Sequence, residues 1–383
     1  MNIKQSIKKI LACATASAMT LCLTMPTAFA DDTKNNAEEA YISKTYNTEV
    51  GKAETFSFTA TQVTGEGLVS DSLNPTMPSI SFTADETGTK TKRDKITFPA
   101  FSQEGKYEYT VTESQTANPA VTNNEHEKMI MSQAEYKMDV YVSNINNKYE
   151  ITKIIVNKTK DDKGVIDNET GKVDIGNSDT NGFSFTNTYV QEAGTGTDPT
   201  NPGEDYENYG SLKVTKTVNP NGGNGGTINT SASFRFTAKF DFPKGTDANT
   251  LGKVKGNDIA IELENGKYGF NLKHGESMTF TGLPVGTTMT VSESNTPNYK
   301  GSASYVINGG ESQSKTASKY NESFEVENEK LGQKKNTVDV TNTYNNVPTT
   351  GIIMNTLPYV MMIALGGVAL LGYIYLKNKK YSD

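Results

Sequence analysis

Apolar and polar side chains alternate strictly in several short segments of this chain. The alternation is clearest in residues 56–60, 107–111 and 234–238, where one face carries aromatic and small apolar side chains. A period of two residues is typical of β-strands that bury one face. Clusters of Gly, Asn and Asp separate these segments, and long helical periodicity is absent. The pattern therefore predicts an all-β fold built of β-sandwiches.

The length of the chain between its two ends suits two such domains. Residues 192–203 combine Gly, Pro and Thr with almost no apolar side chain, which is a composition typical of linkers. We therefore predict a first β-sandwich in residues 31–190, a linker in residues 191–209 and a second β-sandwich in residues 210–346.

The amino-terminal residues have the pattern of a secretory signal peptide. Three lysines within the first nine residues precede an apolar run at 10–23, and Ala28-Phe29-Ala30 supplies an A-x-A cleavage site. The apolar run is too short for a membrane anchor. Both cysteines, Cys13 and Cys22, lie inside this predicted signal of residues 1–30. The exported chain would therefore have no disulfide, thiolate nucleophile or cysteine metal ligand.

The carboxyl-terminal residues predict a second processing signal. An apolar run from Leu357 to Leu376 is long enough to cross a membrane, so residues 352–376 are predicted to form a transmembrane helix, and the lysines of residues 377–383 would remain cytoplasmic. Alone, these features would indicate a simple tail anchor. The segment before them, Val347-Pro348-Thr349-Thr350-Gly351, resembles the LPxTG sorting signal with valine in place of leucine. The resemblance implies that a sortase cleaves between Thr350 and Gly351 and transfers the acyl-threonine to an amine.

Composition argues against several other functions. The formal net charge is −7 and no basic patch is present, so nucleic-acid binding is not expected. Only His126 and His274 exist, one in each predicted domain, which gives no support for a zinc site or a histidine-based active site. Residues 125–127 are interpreted as a solvated loop. No cofactor and no metal are predicted.

Each predicted domain places a lysine, a glutamate and an asparagine on strand faces that are otherwise apolar. The polar members, in chain order, are Lys44, Glu113 and Asn187 in the first domain and Lys216, Glu293 and Asn342 in the second. Strand alternation directs all of them toward the core, where such groups are costly unless they satisfy one another. Two simpler interpretations of these residues remain open. The lysine could extend its amine to solvent, and the asparagine could cap a turn.

The grouping of these three residue types suggests a reaction. Burial lowers the pKa of a lysine and raises that of a glutamate. A neutral lysine amine can then attack the asparagine carboxamide while the acid polarises the carbonyl and shuttles protons. Ammonia leaves, and an isopeptide bond joins the first strand of the domain to the last.

Several segments resemble domains of Gram-positive surface proteins. Residues 96–99 and 105–113 resemble the streptococcal pilin isopeptide-linker domain, over roughly residues 40–190. Residues 212–218, 282–286 and 291–293 resemble the collagen-adhesin B-type domains. The resemblance implies inverse immunoglobulin-like sandwiches with acid-assisted Lys–Asn isopeptide bonds. It assigns the bonds to Lys44–Asn187, assisted by Glu113, and to Lys216–Asn342, assisted by Glu293.

The expected function is that of a structural subunit in a sortase-assembled pilus on the Gram-positive cell surface, without enzymatic activity. Expected partners are a sortase, identical subunits or peptidoglycan, and a possible host ligand, with membrane contact only before sorting. In the resembling family the acceptor lysine lies shortly before the asparagine strand, which favours Lys172, with Lys163 second. A basal pilin or a monomeric wall-anchored adhesin remains an alternative to the shaft subunit.

Overall fold

The structure, a computed structural model of the chain, describes residues 39–166, 170–175, 182–220 and 226–345. These residues form two compact units. Unit 1 contains the described residues up to 122 together with 129–189, and unit 2 contains residues 123–128 and the described residues from 190 onward. Each unit is built almost entirely of strands, which confirms the all-β prediction.

Residues 39–191 contain two sheets among the described parts of the chain. One sheet has four strands in the order β4-β1-β10-β6, and the other has six in the order β3-β2-β5-β7-β8-β9. In chain order the strands are β1 (Tyr41–Thr48), β2 (Glu54–Val63), β3 (Ser79–Phe82), β4 (Gly88–Lys95), β5 (Gly105–Glu113), β6 (Glu127–Ile130), β7 (Glu135–Ile145), β8 (Lys148–Lys160), β9 (Gly171–Val173) and β10 (Phe183–Gln191).

The later part of the described chain also forms two sheets, which belong to unit 2. A seven-stranded sheet has the order β14-β13-β16-β11-β21-β18-β19, and a four-stranded sheet has the order β15-β12-β17-β20. The strands are β11 (Leu212–Val218), β12 (Phe234–Asp241), β13 (Lys255–Gly256), β14 (Ile259–Ala260), β15 (Lys267–Leu272), β16 (Ser277–Thr281), β17 (Thr288–Glu293), β18 (Tyr299–Val306), β19 (Gln313–Thr316), β20 (Phe324–Lys330) and β21 (Thr337–Tyr344).

In both halves of the chain the first strand pairs in parallel with the last. β1 pairs with β10, and β11 pairs with β21. Each pairing joins residues that are far apart in sequence, so each unit is closed by its own two ends. Backbone hydrogen bonds link the two strands of each pair, and between β1 and β10 the side chain of Asn47 adds a hydrogen bond to Thr188 Oγ1.

The burial of alternate residues follows the predicted strand faces. In β11 the buried positions are Leu212, Val214, Lys216 and Val218, whereas Lys213 is partly exposed. In β5 the buried face ends at Glu113, which is 4% exposed. Lysine and glutamate side chains therefore occupy positions that the period of two assigns to the core.

The predicted linker differs from what the structure shows. Gln191, Glu192 and Thr195 are buried, and residues 204–209 form a short helix, α1 (Glu204–Tyr209). The segment belongs to unit 2 because its backbone makes specific hydrogen bonds there, such as Ala193 N to Leu283 O at 2.8 Å. A low content of apolar side chains thus did not mean exposure, because polar side chains and the backbone are satisfied by hydrogen bonds.

The loop containing His126 also differs from its predicted solvated state. Glu127 is 4% exposed, and His126 Nδ1 lies 2.7 Å from Glu192 Oε2, which is itself in unit 2. Glu192 additionally accepts hydrogen bonds from Tyr206 and Ser211. The hydrogen bonds from Tyr206 and Ser211 satisfy the buried Glu192 carboxylate, and the His126 ring packs against the same carboxylate.

Three predicted segments lie outside the described residues. They are the signal peptide of residues 1–30, the sorting motif of residues 347–351 and the apolar segment of residues 352–376 with its basic tail. Within the residues that are described, no helix is long and apolar enough to cross a membrane.

Candidate functional site

Strand register places each predicted lysine near its predicted asparagine. Across the parallel pair β1–β10, Lys44 faces Phe185, and Asn187 lies two residues farther along β10. Across β11–β21, Lys216 faces Val340, and Asn342 again lies two residues farther. Because side chains alternate, a step of two keeps the asparagine on the same face as the lysine. The same offset therefore recurs in both units.

In unit 1 the glutamate contacts both partners. Lys44 Nζ lies 2.7 Å from Glu113 Oε1 and 2.9 Å from Oε2, with both side chains fully buried. Asn187 Nδ2 donates to Glu113 Oε1 at 2.8 Å, and it also lies 3.3 Å from Met131 Sδ. The three predicted side chains thus form one contiguous group in the core.

Unit 2 repeats the arrangement. Lys216 Nζ lies 3.1 Å from Glu293 Oε2, and Asn342 Nδ2 donates to Glu293 Oε1 at 2.5 Å. All three residues are at most 3% exposed. The acid again lies between the amine and the amide.

Aromatic rings line the lysine side of both groups. Lys44 Nζ lies 4.5 Å from the centroid of the Phe56 ring, and Lys216 Nζ lies 4.1 Å from that of Phe234. Each ring belongs to the strand that pairs with the strand carrying the acid. Ring faces stabilise a cation but offer no hydrogen bond, so the acid is the hydrogen-bonding partner that the structure gives each amine.

Burial shifts both ionisable groups toward their neutral forms. Desolvation lowers the pKa of Lys44 to about 8, although the Glu113 carboxylate opposes the shift. Desolvation likewise lowers the pKa of Lys216 to about 8 against the opposing effect of Glu293. The same burial raises the pKa of Glu113 and of Glu293, with the lysines opposing. Each pair can therefore exchange a proton and become a neutral amine beside a neutral acid.

The two units differ in the hydrogen bonding of the asparagine side-chain oxygen. In unit 1 the backbone N–H of Ser132 donates to Asn187 Oδ1 at 2.7 Å. In unit 2, Asn342 Oδ1 is buried and accepts no hydrogen bond from the described part of the chain. The strand pattern gave no signal for Ser132, because a backbone N–H in a loop has no residue signature.

The two candidate acceptor lysines lie at the surface of unit 1. Lys172 is exposed in β9, which is the edge strand of the six-stranded sheet, and its Cα pairs with Asn157 of β8. Lys163 is exposed in the turn that follows β8, where its N–H donates to Asp161 Oδ1. Neither lysine is part of the buried groups. Among the described residues, no cluster of three or more His, Cys, Asp or Glu side chains is arranged to hold a metal ion.

Comparison with known proteins identifies a relative among pilins. A curated protein from Streptococcus pyogenes serotype M1, described as "Pilin", is 33% identical over 174 residues. The match covers 44% of this chain and 48% of the relative, so the chain spans about half the length of that relative. The predicted resemblance to streptococcal pilins is thereby confirmed. Residues 210–344 match a family described as "Domain of unknown function (DUF7601)".

Solved structures give weaker likenesses. The major pilin from Streptococcus pyogenes is 22% identical, with 80% of this chain and 98% of that chain covered, at a TM-score of 0.31. A pilus-presented adhesin is 11% identical, with 80% and 99% covered, at a TM-score of 0.27. TM-scores of this size do not establish a shared arrangement.

Proposed function

We propose that this chain is a structural subunit of a sortase-assembled pilus on the surface of a Gram-positive bacterium, with each unit closed by an intramolecular Lys–Asn isopeptide bond. The observation that carries the proposal is the repeated buried group of lysine, glutamate and asparagine at the same register offset in both units. Similarity to a curated streptococcal pilin supports it independently.

Burial energetics favour a covalent role over a purely structural ion pair. A buried ion pair adds little net stability, because desolvation offsets most of the attraction between the charges. The presence of two such pairs, each hydrogen-bonded to an asparagine amide, is better explained by a reaction between the groups than by a stabilising effect of the ion pairs. The amine attacks the amide carbon, and the acid carries a proton from the amine to the departing nitrogen. The fold holds the reactants together and supplies the high effective concentration that amide aminolysis needs.

The position of the bonds suits a fibre under tension. β1 lies near the start of unit 1 and β10 near its end, and the two strands run parallel. Tension applied at the two ends therefore shears these strands past each other. A bond from Lys44 to Asn187 would carry that load in place of the ladder hydrogen bonds. The same argument holds for β11, β21 and the bond from Lys216 to Asn342.

Formation of the bond should depend on pH in both directions. The reactive pair holds one proton, shared between amine and acid. As the pH falls below the raised pKa of Glu113, both groups become protonated and the amine of Lys44 cannot attack. As the pH rises above about 8, the shared proton is lost from Lys44 and no acid remains to protonate the leaving nitrogen. We expect a bell-shaped rate.

The measurement starts from chain isolated from inclusion bodies in denaturant, and its intact mass is checked first to show that no ammonia has been lost and the chain is unlinked. The chain is diluted into a series of buffers, and the linked Lys44–Asn187 peptide is quantified over time by digestion and mass spectrometry. Folding is followed in parallel by near-ultraviolet circular dichroism, so that slow folding is not mistaken for slow chemistry. A linkage rate that keeps rising well above pH 8 would contradict the role of a shared proton.

Anchoring and polymerisation are assigned to the sorting motif. We propose that a sortase cleaves after Thr350 and passes the acyl-threonine to an amine of the next subunit or of peptidoglycan. Cleavage would release the membrane segment, leaving the chain on the cell wall. The assignment rests on the order of pentapeptide, apolar segment and basic tail in the sequence.

Lys172 is the proposed acceptor for the next subunit. It is exposed on an edge strand of unit 1, where a second chain can approach its amine. Replacing Lys172 with arginine keeps the charge but removes the nucleophilic amine. We expect this variant to lose the ladder of covalent polymers in cell-wall extracts while the monomer is still anchored.

Two further variants complete the polymerisation test. Lys163→Arg is the matched control, because Lys163 is also exposed and also precedes the asparagine strand, and it should leave the ladder intact. Thr350→Ala should abolish both ladder and anchoring. Polymers that persist in Lys172→Arg would exclude this acceptor. A chain that is anchored but never polymerises, even unaltered, would favour the monomeric adhesin.

A further inference from the structure

The carboxamide of Asn187 has its orientation fixed by a backbone donor. The N–H of Ser132 donates to Asn187 Oδ1 at 2.7 Å. Of the two polar atoms of the carboxamide, only the oxygen can accept this hydrogen bond, because the NH₂ group is a donor. The amide nitrogen must then face Glu113, where it donates to Oε1 at 2.8 Å. Ser132 is 1% exposed, so this hydrogen bond lies away from water. Carbonyl carbon, donor and acid are thus aligned before any bond forms.

The geometry points to Ser132 as the oxyanion donor of unit 1: we propose that its backbone N–H stabilises the negative charge that develops on Asn187 Oδ1 while the isopeptide bond forms. This inference rests on the proposed isopeptide chemistry. Charge gathers on the carbonyl oxygen when the amine adds to the carbon, and a preorganised donor in a dry site lowers that barrier. One such donor typically changes a rate by about 10²–10³-fold.

The reaction balances with the residues present. Lys44 first gives a proton to Glu113 and becomes a neutral amine. Its Nζ forms a bond to the Asn187 carbonyl carbon, and the electron pair of the C=O bond moves to Oδ1, which Ser132 N–H contacts. Glu113 passes its proton to Nδ2 and takes one from Nζ. The C–Nδ2 bond then breaks, the C=O bond reforms, and ammonia leaves. No external oxidant, reductant or co-reactant is needed.

A second residue positions the donor. Asp162 Oδ1 accepts a hydrogen bond from Ser132 Oγ and another from Thr186 N at 3.0 Å. Thr186 directly precedes Asn187 in β10, so Asp162 ties the loop that carries the donor to the strand that carries the amide. Ser132 Oγ also accepts from Ala134 N at 3.1 Å, which fixes the loop from its other side. Asp162 is therefore a positioning residue and does not touch the reacting atoms.

Unit 2 offers a natural comparison. Asn342 Oδ1 is buried without a donor among the residues that the structure describes, although amine and acid are placed as in unit 1. Within the described part of the chain, the side-chain amide of Asn342 hydrogen-bonds only to the Glu293 side chain. We therefore expect the Lys44–Asn187 bond to form faster than the Lys216–Asn342 bond in the same chain.

The decisive experiment replaces the Ser132 amide by an ester. The full chain is made by cell-free translation with a suppressor tRNA that inserts the hydroxy-acid analogue of serine at position 132, which removes the N–H and keeps the side chain. Linked peptides of both units are quantified over time by digestion and mass spectrometry. We expect unit 1 linkage to slow by about 10²–10³-fold, with the unit 2 rate unchanged as an internal control. The pH of maximal rate should not move, because Lys44 and Glu113 are untouched.

A pair of ordinary substitutions tests the same point without the ester. Asp162→Ala removes the acceptor for Ser132 and should slow unit 1 linkage, whereas Asp162→Asn keeps an acceptor oxygen and should restore most of the rate. An unchanged unit 1 rate in the ester chain overturns the oxyanion assignment and leaves the isopeptide proposal standing. Equal slowing by Asp162→Ala and Asp162→Asn overturns the positioning role. Absence of both bonds from the unaltered chain overturns the proposed function itself.

Discussion

A chain with Glu113 replaced by alanine is expected to be one ammonia heavier than the unaltered protein, apart from the mass of the substitution itself. The unaltered segment from Asp31 to Asn346 should be lighter than its sequence by two ammonias, one for each bond. Without the acid, no group that contacts Lys44 among the described residues can accept its proton and deliver one to the departing Asn187 nitrogen. Glu293→Ala should restore the other ammonia for the same reason.

Intact mass spectrometry measures both effects directly, and two controls separate chemistry from misfolding. Glu113→Gln keeps the size and hydrogen bonding of the side chain but cannot shuttle a proton, so it should also lack the bond. Glu108→Ala removes a carboxylate from the same strand, where it pairs with Lys106 and Lys137 on the partly exposed face. It should retain both bonds. An unaltered chain whose mass equals that of its sequence would contradict the isopeptide proposal outright.

The strand faces could be predicted from sequence because side-chain direction in a strand depends only on the period of two. That rule placed Lys216 with Leu212 and Val214 on one face, and the structure buries all three. It likewise placed Asn187 with Phe183 and Phe185 on a face that the structure buries. The alternation within a single strand was sufficient to predict which of these side chains face the core, because that direction does not depend on the neighbouring strand.

The register between first and last strand could not be predicted in the same way. The offset that brings Asn187 beside Lys44 depends on pairing between strands far apart in sequence, and a shift of one residue would turn the asparagine to the other face. Ser132 and Asp162 were missed for a related reason. Ser132 acts through its backbone N–H, which any residue except proline could supply. Asp162 lies in a turn, and its local sequence does not show what its side chain contacts. Residues 191–195 were assigned to the predicted linker of residues 191–209 because amino-acid composition does not reveal the hydrogen bonds that their side chains and backbone make.

Loss of the covalent link should also reduce stability by a large and measurable amount. Asn187→Ala removes the acceptor of the bond but leaves the Lys44–Glu113 pair intact, so no lone charge is buried. The link closes nearly the whole of unit 1, and in the chain-entropy model a loop of that size contributes about 5 kcal/mol. For a unit of this size we expect the unit 1 transition in scanning calorimetry to fall by roughly 10–20 °C.

Asn47→Ala is the matched control for this stability change. Asn47 lies on β1 and is 5% exposed, and its Nδ2 donates to Thr188 Oγ1 of β10 at 3.1 Å, so it joins the same two strands without a covalent bond. Its Oδ1 also accepts from Thr89 at 2.8 Å. Loss of such hydrogen bonds costs about 1–3 kcal/mol, which corresponds to a shift of roughly 2–12 °C, and we expect it to be smaller than that of Asn187→Ala. Asn47 forms no covalent bond, so its replacement removes hydrogen bonds only. Equal shifts in the transition temperature of the two variants would therefore mean that Asn187 also stabilises unit 1 only by hydrogen bonding.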